Sequence, residues 1–218
     1  MLLKDLVHNL KNNINGPLPG MQCQKLMAPS DRGENVNFPH CDLPKRNAAI
    51  LILLYEKNNT TYTVFIKRPI YDGAHGGQIA FPGGKVEDHD ITIYDTALRE
   101  TREEIGINTD SVEVIGSLTP LYIPVSNIEV TPVIAYSNVI PTFQIDKTEV
   151  DYTVEALISE IVNIENKKEK NIFYKERKIT APYFDIKEEF IWGATAMILN
   201  EFICLLNQPG IHNQKIPN

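Results

Sequence analysis

The run from Gly83 to Ile107 constrains this chain more than any other, because it prescribes a strand end, a turn and one capped helix in succession. The strand-like QIAFP leads into Gly83 and Gly84, whose missing Cβ atoms allow the backbone a tight turn. Thr92 is placed to cap a helix, Asp95 is the acidic partner of a capping box, and Gly106 is placed to end the helix in the left-handed conformation. On a wheel of about 100° per residue, Glu100, Glu103 and Glu104 share one arc, while Tyr94, Leu98, Thr101 and Ile105 gather on another. Carboxylates at i, i+3 and i+4 repel one another, and Arg99 and Arg102 relieve this only in part. A divalent cation removes the conflict, since hard ions such as Mg²⁺ and Mn²⁺ prefer oxygen ligands and hold phosphates beside them. A glutamate row is more often just a solvated helix face, so the cluster takes its meaning from its surroundings.

Those surroundings alternate strands with a few helices. Leu2, Leu3, Leu6, Leu10 and Ile14 stand near helical spacing ahead of NGPLPG, which predicts an amphipathic N-terminal helix. Residues 16–45, rich in Pro, Asn and Asp without periodicity, are expected to wrap the surface. AAILILLYEKNNTTYTVFIKR reads as a hairpin turning at Asn58 and Asn59. Strands are expected near 112–118 and 131–136, an apolar stretch at 154–162, a hairpin through 171–186, and a final helix from about 191 to 206. The run NKKEKN reads as a solvated turn, and Trp192 as a packing anchor for the last helix. The pattern implies an α/β fold with a mixed β-sheet covered on both faces, in a single domain over 1–218 whose core is about 46–206 and whose first 45 residues supply the N-terminal helix and wrapping segment.

Charge narrows the partners. With 28 acidic against 21 basic residues the net charge is −7, which argues against general binding to nucleic acid. The longest apolar run, Ala48 to Tyr55, is too short to span a bilayer, and MLLKDLVHNLKNN lacks the small-residue cleavage site of a secretory signal, so a cytoplasmic protein with no membrane partner is expected. Cys23, Cys41 and Cys204 match neither a zinc pair nor a disulfide framework and read as small buried apolar side chains. The histidines show no helical metal-binding spacing, so any metal must sit on carboxylates.

GGKVEDHDITIYDTALRETREEIGI resembles the Nudix box, through Gly84, Arg99, Glu100, Glu103, Glu104, Gly106 and Ile107. It departs in two places: Asp90, with one extra residue before Arg99, stands for the first glutamate, and Thr101 occupies an apolar position. The resemblance implies an α/β/α sandwich whose helix holds Mg²⁺ or Mn²⁺ through Glu100 and Glu104, with Glu103 a further ligand and Arg99 orienting Glu100 by a salt bridge. The preceding RPIYDGAHGGQIAFPGGK is similar to the signature of the coenzyme A pyrophosphatase branch, at Arg68, His75, Gly77, Gln78, Phe81, Pro82, Gly83 and Gly84. The closing IWGATA, Ile191 to Ala196, and the pair Glu149-Val150 are similar to that branch too. The branch carries an arginine where this chain has Gly73.

The resemblance implies hydrolysis of a phosphoanhydride in a small-molecule nucleotide, coenzyme A or an acyl derivative, giving 4′-phosphopantetheine and adenosine 3′,5′-bisphosphate. It implies substrate contacts at Arg68, His75, Gln78, Gly83 and Gly84, although His75 and Gln78 read equally well as loop-closing residues, and it offers Glu149 as base or ligand. Another nucleoside diphosphate, such as a nucleotide sugar or dinucleotide, and a non-catalytic nucleotide sensor are the alternatives, and a homodimer is left open.

Overall fold

The computed structural model describes residues 2–32, 44–73, 75–174 and 177–208. Its centre is β1 (Arg46–Lys57), which turns back through Asn58 and Asn59 into β2 (Thr60–Lys67). Both asparagines have positive φ, 54° and 58°, as a two-residue turn matched to strand twist requires. On its other side β1 pairs in parallel with β7 (Ile128–Ser137), from Arg46 opposite Ile128 to Tyr55 opposite Ser137. Such pairing is sustained only when both faces are covered, and residues 51–55 have no exposed surface. Antiparallel β5 (Val112–Ser117) and β6 (Leu121–Ile123) pair with β7, β8 (Tyr152–Leu157) with β2, and β3 (Ile79–Ala80) and β4 (Gly83–Lys85) with β2 and β1 respectively.

Alternation along β1 sends Leu51, Leu53 and Tyr55 to one face, where they meet Ala97 and Ile105 of α3 (Ile93–Ile105). Ile52 and Leu54 face the other way, into a core with Leu6 and Leu10 of α1 (Leu3–Asn13) and Leu199 and Phe202 of α5 (Gly193–Leu206). The result is the expected α/β/α sandwich around a mixed sheet. A second, antiparallel sheet of β9 (Lys167–Tyr174), β10 (Arg177–Ile186) and β11 (Glu189–Trp192) adds Phe184, Ile186 and Ile191 to the α5 side of the core. The short α4 (Ile158–Ile161) follows β8.

Six local readings are corrected. Lysines 167, 168 and 170 lie in strand β9, held by the ladder to β10, rather than in a solvated turn. Ile191 and Trp192 belong to β11, and the last helix begins only at Gly193, whose φ of 62° breaks strand from helix. Gly83 and Gly84 form strand β4 against β1 instead of a turn. Tyr94 is exposed, while Arg99 and Glu104 are buried, so the covered stripe of α3 is rotated relative to the wheel. Within 16–45 the chain forms a helix, α2 (Gly20–Lys25), packed on α5. Cys23 of α2 and Cys204 of α5 are joined in a disulfide across 181 residues, Cα atoms 6.6 Å apart, which overturns their reading as small buried apolar side chains outside any disulfide framework; Cys41 lies outside the described residues. No helix among the described residues is long and apolar enough to cross a membrane.

Candidate active site

The site is assembled where β4 crosses the second half of α3. Gly83 has φ 144°, and a Cβ there would collide with the Ala49 carbonyl on β1. A Cβ on Gly84 would collide with the Glu100 carboxylate. Both positions demand glycine because strand backbone lies directly against a neighbour, and this lets the Gly83 N–H donate to Glu104 Oε2 at 2.7 Å. Helix α3 begins as expected, with Thr92 and Asp95 bonded reciprocally and Gly106 at φ 68° closing it.

Arg99 organises the acidic cluster. Its Nε and Nη2 donate to the two oxygens of Asp90, each at 2.9 Å, and Nη2 also to the Lys85 carbonyl at 2.9 Å. Nη1 donates to Glu100 Oε1 and to Glu103 Oε2, each at 3.0 Å. The five N–H donors of the guanidinium are thus all engaged, and the fork fixes its plane. The Arg99 and Asp90 side chains are 7% and 2% exposed. Hydrogen bonding from Arg99 holds the Asp90 carboxyl well below the ordinary carboxylate range. Sequence reasoning treated Asp90 as a substitute glutamate and missed it as the clamp on Arg99. Eight residues of intervening loop and helix hide that pairing, and only the identity of the departure pointed to it.

Glu104 is buried and strained electrostatically. Burial drives its pKa up to about 8, with Glu100 and Glu149 pushing in the same direction, against the Gly83 N–H and the charge of Arg68. The Glu100 pKa is raised as well, first by burial, then by Glu103 and Glu149, with Arg99 opposing. Glu149 reaches this neighbourhood because its loop docks on the end of α3: Gln144 N–H donates to the Ile105 carbonyl at 2.8 Å and Asp146 N–H to the Glu104 carbonyl at 3.0 Å. Orphan helix carbonyls are satisfied and a fourth carboxylate is delivered in one move.

The loop between β2 and β3 closes at its base, where Arg68 N–H donates to the Gln78 carbonyl and Gly77 N–H to the Pro69 carbonyl, both at 3.0 Å. His75 Nδ1 and Gln78 Oε1 are 3.4 Å apart. The structure thus brings Arg99, Glu100, Glu103 and Gly84 into one cluster and Arg68, Gly83, Glu104 and Glu149 into its flank. Among the described residues no three His, Cys, Asp or Glu side chains are arranged around a single metal position. The donors nevertheless suit a hard divalent ion: all are carboxylates, Glu103 is 54% exposed, and burial beside Glu100 and Glu149 penalises the charged form of Glu104, a penalty that an added cation would relieve.

The NUDIX domain model matches residues 44–175, more than half of the chain. This chain belongs to the Nudix family. It is 32% identical over 158 residues to the uncharacterized Nudix hydrolase NudL of Pectobacterium atrosepticum, covering 72% of this chain and 81% of that one. It is 30% identical over 178 residues to Nudix hydrolase 3 of Caenorhabditis elegans, covering 73% and 72%. Among solved structures, a MutT/nudix family protein from Enterococcus faecalis is similar at 15% identity and a TM-score of 0.48, over 75% of this chain and 63% of that one. The protein is a Nudix hydrolase, and the departures from the Nudix box have local explanations. Asp90 spans to Arg99 across the longer loop, and buried Thr101 donates its hydroxyl to the Ala97 carbonyl at 2.6 Å, so a polar group at an apolar position is satisfied within its own helix.

Proposed function

We propose that this Nudix hydrolase cleaves the diphosphate of coenzyme A or an acyl-coenzyme A, releasing 4′-phosphopantetheine or its acyl form and adenosine 3′,5′-bisphosphate, with the chain 1–218 working as one domain. The supporting observation is that the segment resembling the coenzyme A pyrophosphatase signature, from Arg68 to Gly84, ends directly on Glu100 and Glu104 through its two glycines. Glu100, Glu103 and Glu104 would hold Mg²⁺ or Mn²⁺, which would supply charge neutralisation at the diphosphate and a more acidic water. Arg99 keeps Glu100 in place, while Arg68, whose charge already reaches Glu104, neutralises a phosphoryl oxygen. Glu149 takes the proton of the attacking water; the water oxygen bonds to phosphorus as the bridging P–O bond breaks, and the leaving phosphate carries away the electron pair. His75 and Gln78 hold the substrate loop and contact the nucleotide.

Coenzyme A incubated with the protein and Mg²⁺ in ¹⁸O-water tests this, with mass spectrometry identifying the labelled product. Label in 4′-phosphopantetheine or the bisphosphate is expected, and intact coenzyme A rejects the substrate. Gly73 favours a second reading, hydrolysis of another nucleoside diphosphate such as a nucleotide sugar or dinucleotide. The Tyr71 ring packs where a Cβ at position 73 would stand, 2.5 Å from its nearest atom, so a longer side chain has no room unless the ring moves. A panel of diphosphates separates the two readings.

A further inference from the structure

The outer face of the second sheet carries a cluster that the glutamate site leaves unused. Along β11, Ile191 is fully buried in the core, whereas Phe190 and Trp192 are half-buried and project the other way. Tyr183 lies opposite Trp192 on β10. The Tyr183 and Phe190 ring centroids are 4.5 Å apart, and those of Phe190 and Trp192 are 5.9 Å apart with planes only 26° from parallel, so the rings make one continuous aromatic surface. The Lys170 ammonium sits over it, 4.0 Å from the Phe190 centroid and 5.7 Å from that of Tyr183. Neighbouring Lys168 is paired with Asp185 at 2.6 Å, but among the described residues no carboxylate pairs with Lys170. In a chain of net charge −7, an exposed ammonium held on rings and not on an acid keeps its three N–H donors available for an incoming anion.

This surface borders the substrate loop at both ends. Glu189, at the start of β11, pairs with Lys67 at 3.1 Å, next to Arg68, and accepts the Tyr152 hydroxyl. Thr195, just past Trp192, donates to the Ile79 carbonyl at 3.0 Å, next to Gln78. We propose that Tyr183, Phe190, Trp192 and Lys170 form the subsite for the nucleoside end of the substrate: a purine base lies on Trp192 alongside Phe190, and Lys170 binds a phosphate carried on its ribose. Base-to-ring stacking supplies affinity without reading the base edge, and the lysine acts as a point charge selecting nucleotides with a second phosphate. The assignment rests on the nucleotide diphosphatase reading and adds the group that makes adenosine 3′,5′-bisphosphate, or the half of coenzyme A that contains it, a preferred ligand.

Trp192 is the only tryptophan in the chain, so its fluorescence reports this surface alone. Titration of the full chain with adenosine 3′,5′-bisphosphate and with adenosine 5′-monophosphate is expected to quench it saturably, the bisphosphate binding about tenfold more tightly because of one charge-assisted contact. Lys170→Ala is expected to abolish that preference, and Phe190→Leu to weaken both nucleotides, with unchanged circular dichroism. Absence of saturable quenching, or a bisphosphate preference that survives Lys170→Ala, overturns the subsite. If the lysine-dependent preference is found but coenzyme A is not cleaved, the subsite stands and the substrate reading fails; if coenzyme A is cleaved without quenching, the reverse holds.

Discussion

Among the described residues two glutamates are buried, and their surroundings differ. Glu201, fully buried in α5, accepts hydrogen bonds from the Gly20 N–H at 3.0 Å, the Thr119 N–H at 3.2 Å and the Gln24 side-chain amide at 2.7 Å. Its oxygens are spent on neutral donors, and it fastens α2 and the loop at Thr119 to the last helix. Glu104, 2% exposed, accepts one backbone N–H and shares its space with Glu100 and Glu149. A buried carboxylate satisfied by neutral donors is architecture, whereas one left among like charges is poised to receive a cation.

That contrast can be broken by substitution. Glu104→Gln should lower kcat at least about a hundredfold, since it removes one charge from the diphosphate site, while the thermal midpoint is held or raised. An assay beside calorimetry checks both, and wild-type turnover would refute the role given to Glu104. Glu201→Ala should do the opposite, costing about 2 kcal/mol of stability by stranding buried donors, with kcat within about twofold of wild type. Urea titration and steady-state kinetics at 20–25 °C decide it. Asp90→Asn should reduce kcat about tenfold, by loosening the fork that holds Glu100 through Arg99. Equal rates for Asp90→Asn and wild type would show that Arg99 keeps its orientation without the clamp.

A pH series is the sharpest discriminator. Because the Glu104 pKa is about 8 in the folded protein against an ordinary 4.5, the folded state retains a proton that the unfolded state sheds between those values. Stability from this group is present below about pH 4.5 and is lost as pH rises toward 8. Thermal melts in chelator from pH 5 to 8.5 should therefore fall more steeply for wild type than for Glu104→Gln, by up to about ten degrees for a change of a few kcal/mol. Parallel curves would remove the electrostatic argument. Glu201→Gln offers the control.

What the sequence disclosed follows the range of the interactions involved. The caps of α3 at Thr92, Asp95 and Gly106, and the Asn58-Asn59 turn, depend on neighbours within a few residues and were readable directly. The glutamates were readable through spacing and through resemblance. Strand β9 was not, because three lysines look like a turn until β10 supplies the ladder that holds them extended. The Cys23–Cys204 disulfide, the clamp of Asp90 on Arg99 and the need for glycine at 83 and 84 each depend on a partner that only the folded chain brings close. Burial of Glu104 belongs with them, since a helical wheel places charges in an arc without saying which of them the sheet covers.

The parallel ladder between β1 and β7 also bears on how the enzyme is made. A ribosome that has released the chain only as far as Ile105 has already delivered every glutamate of α3, yet the strand that flanks β1 on its far side, beginning at Ile128, has not emerged. Non-local pairing of this kind carries a loop-closure cost that delays folding. Catalytic competence should thus appear late in synthesis, and chains truncated before Ser137 should be aggregation-prone, because β1 would present an apolar, unpaired edge to its neighbours.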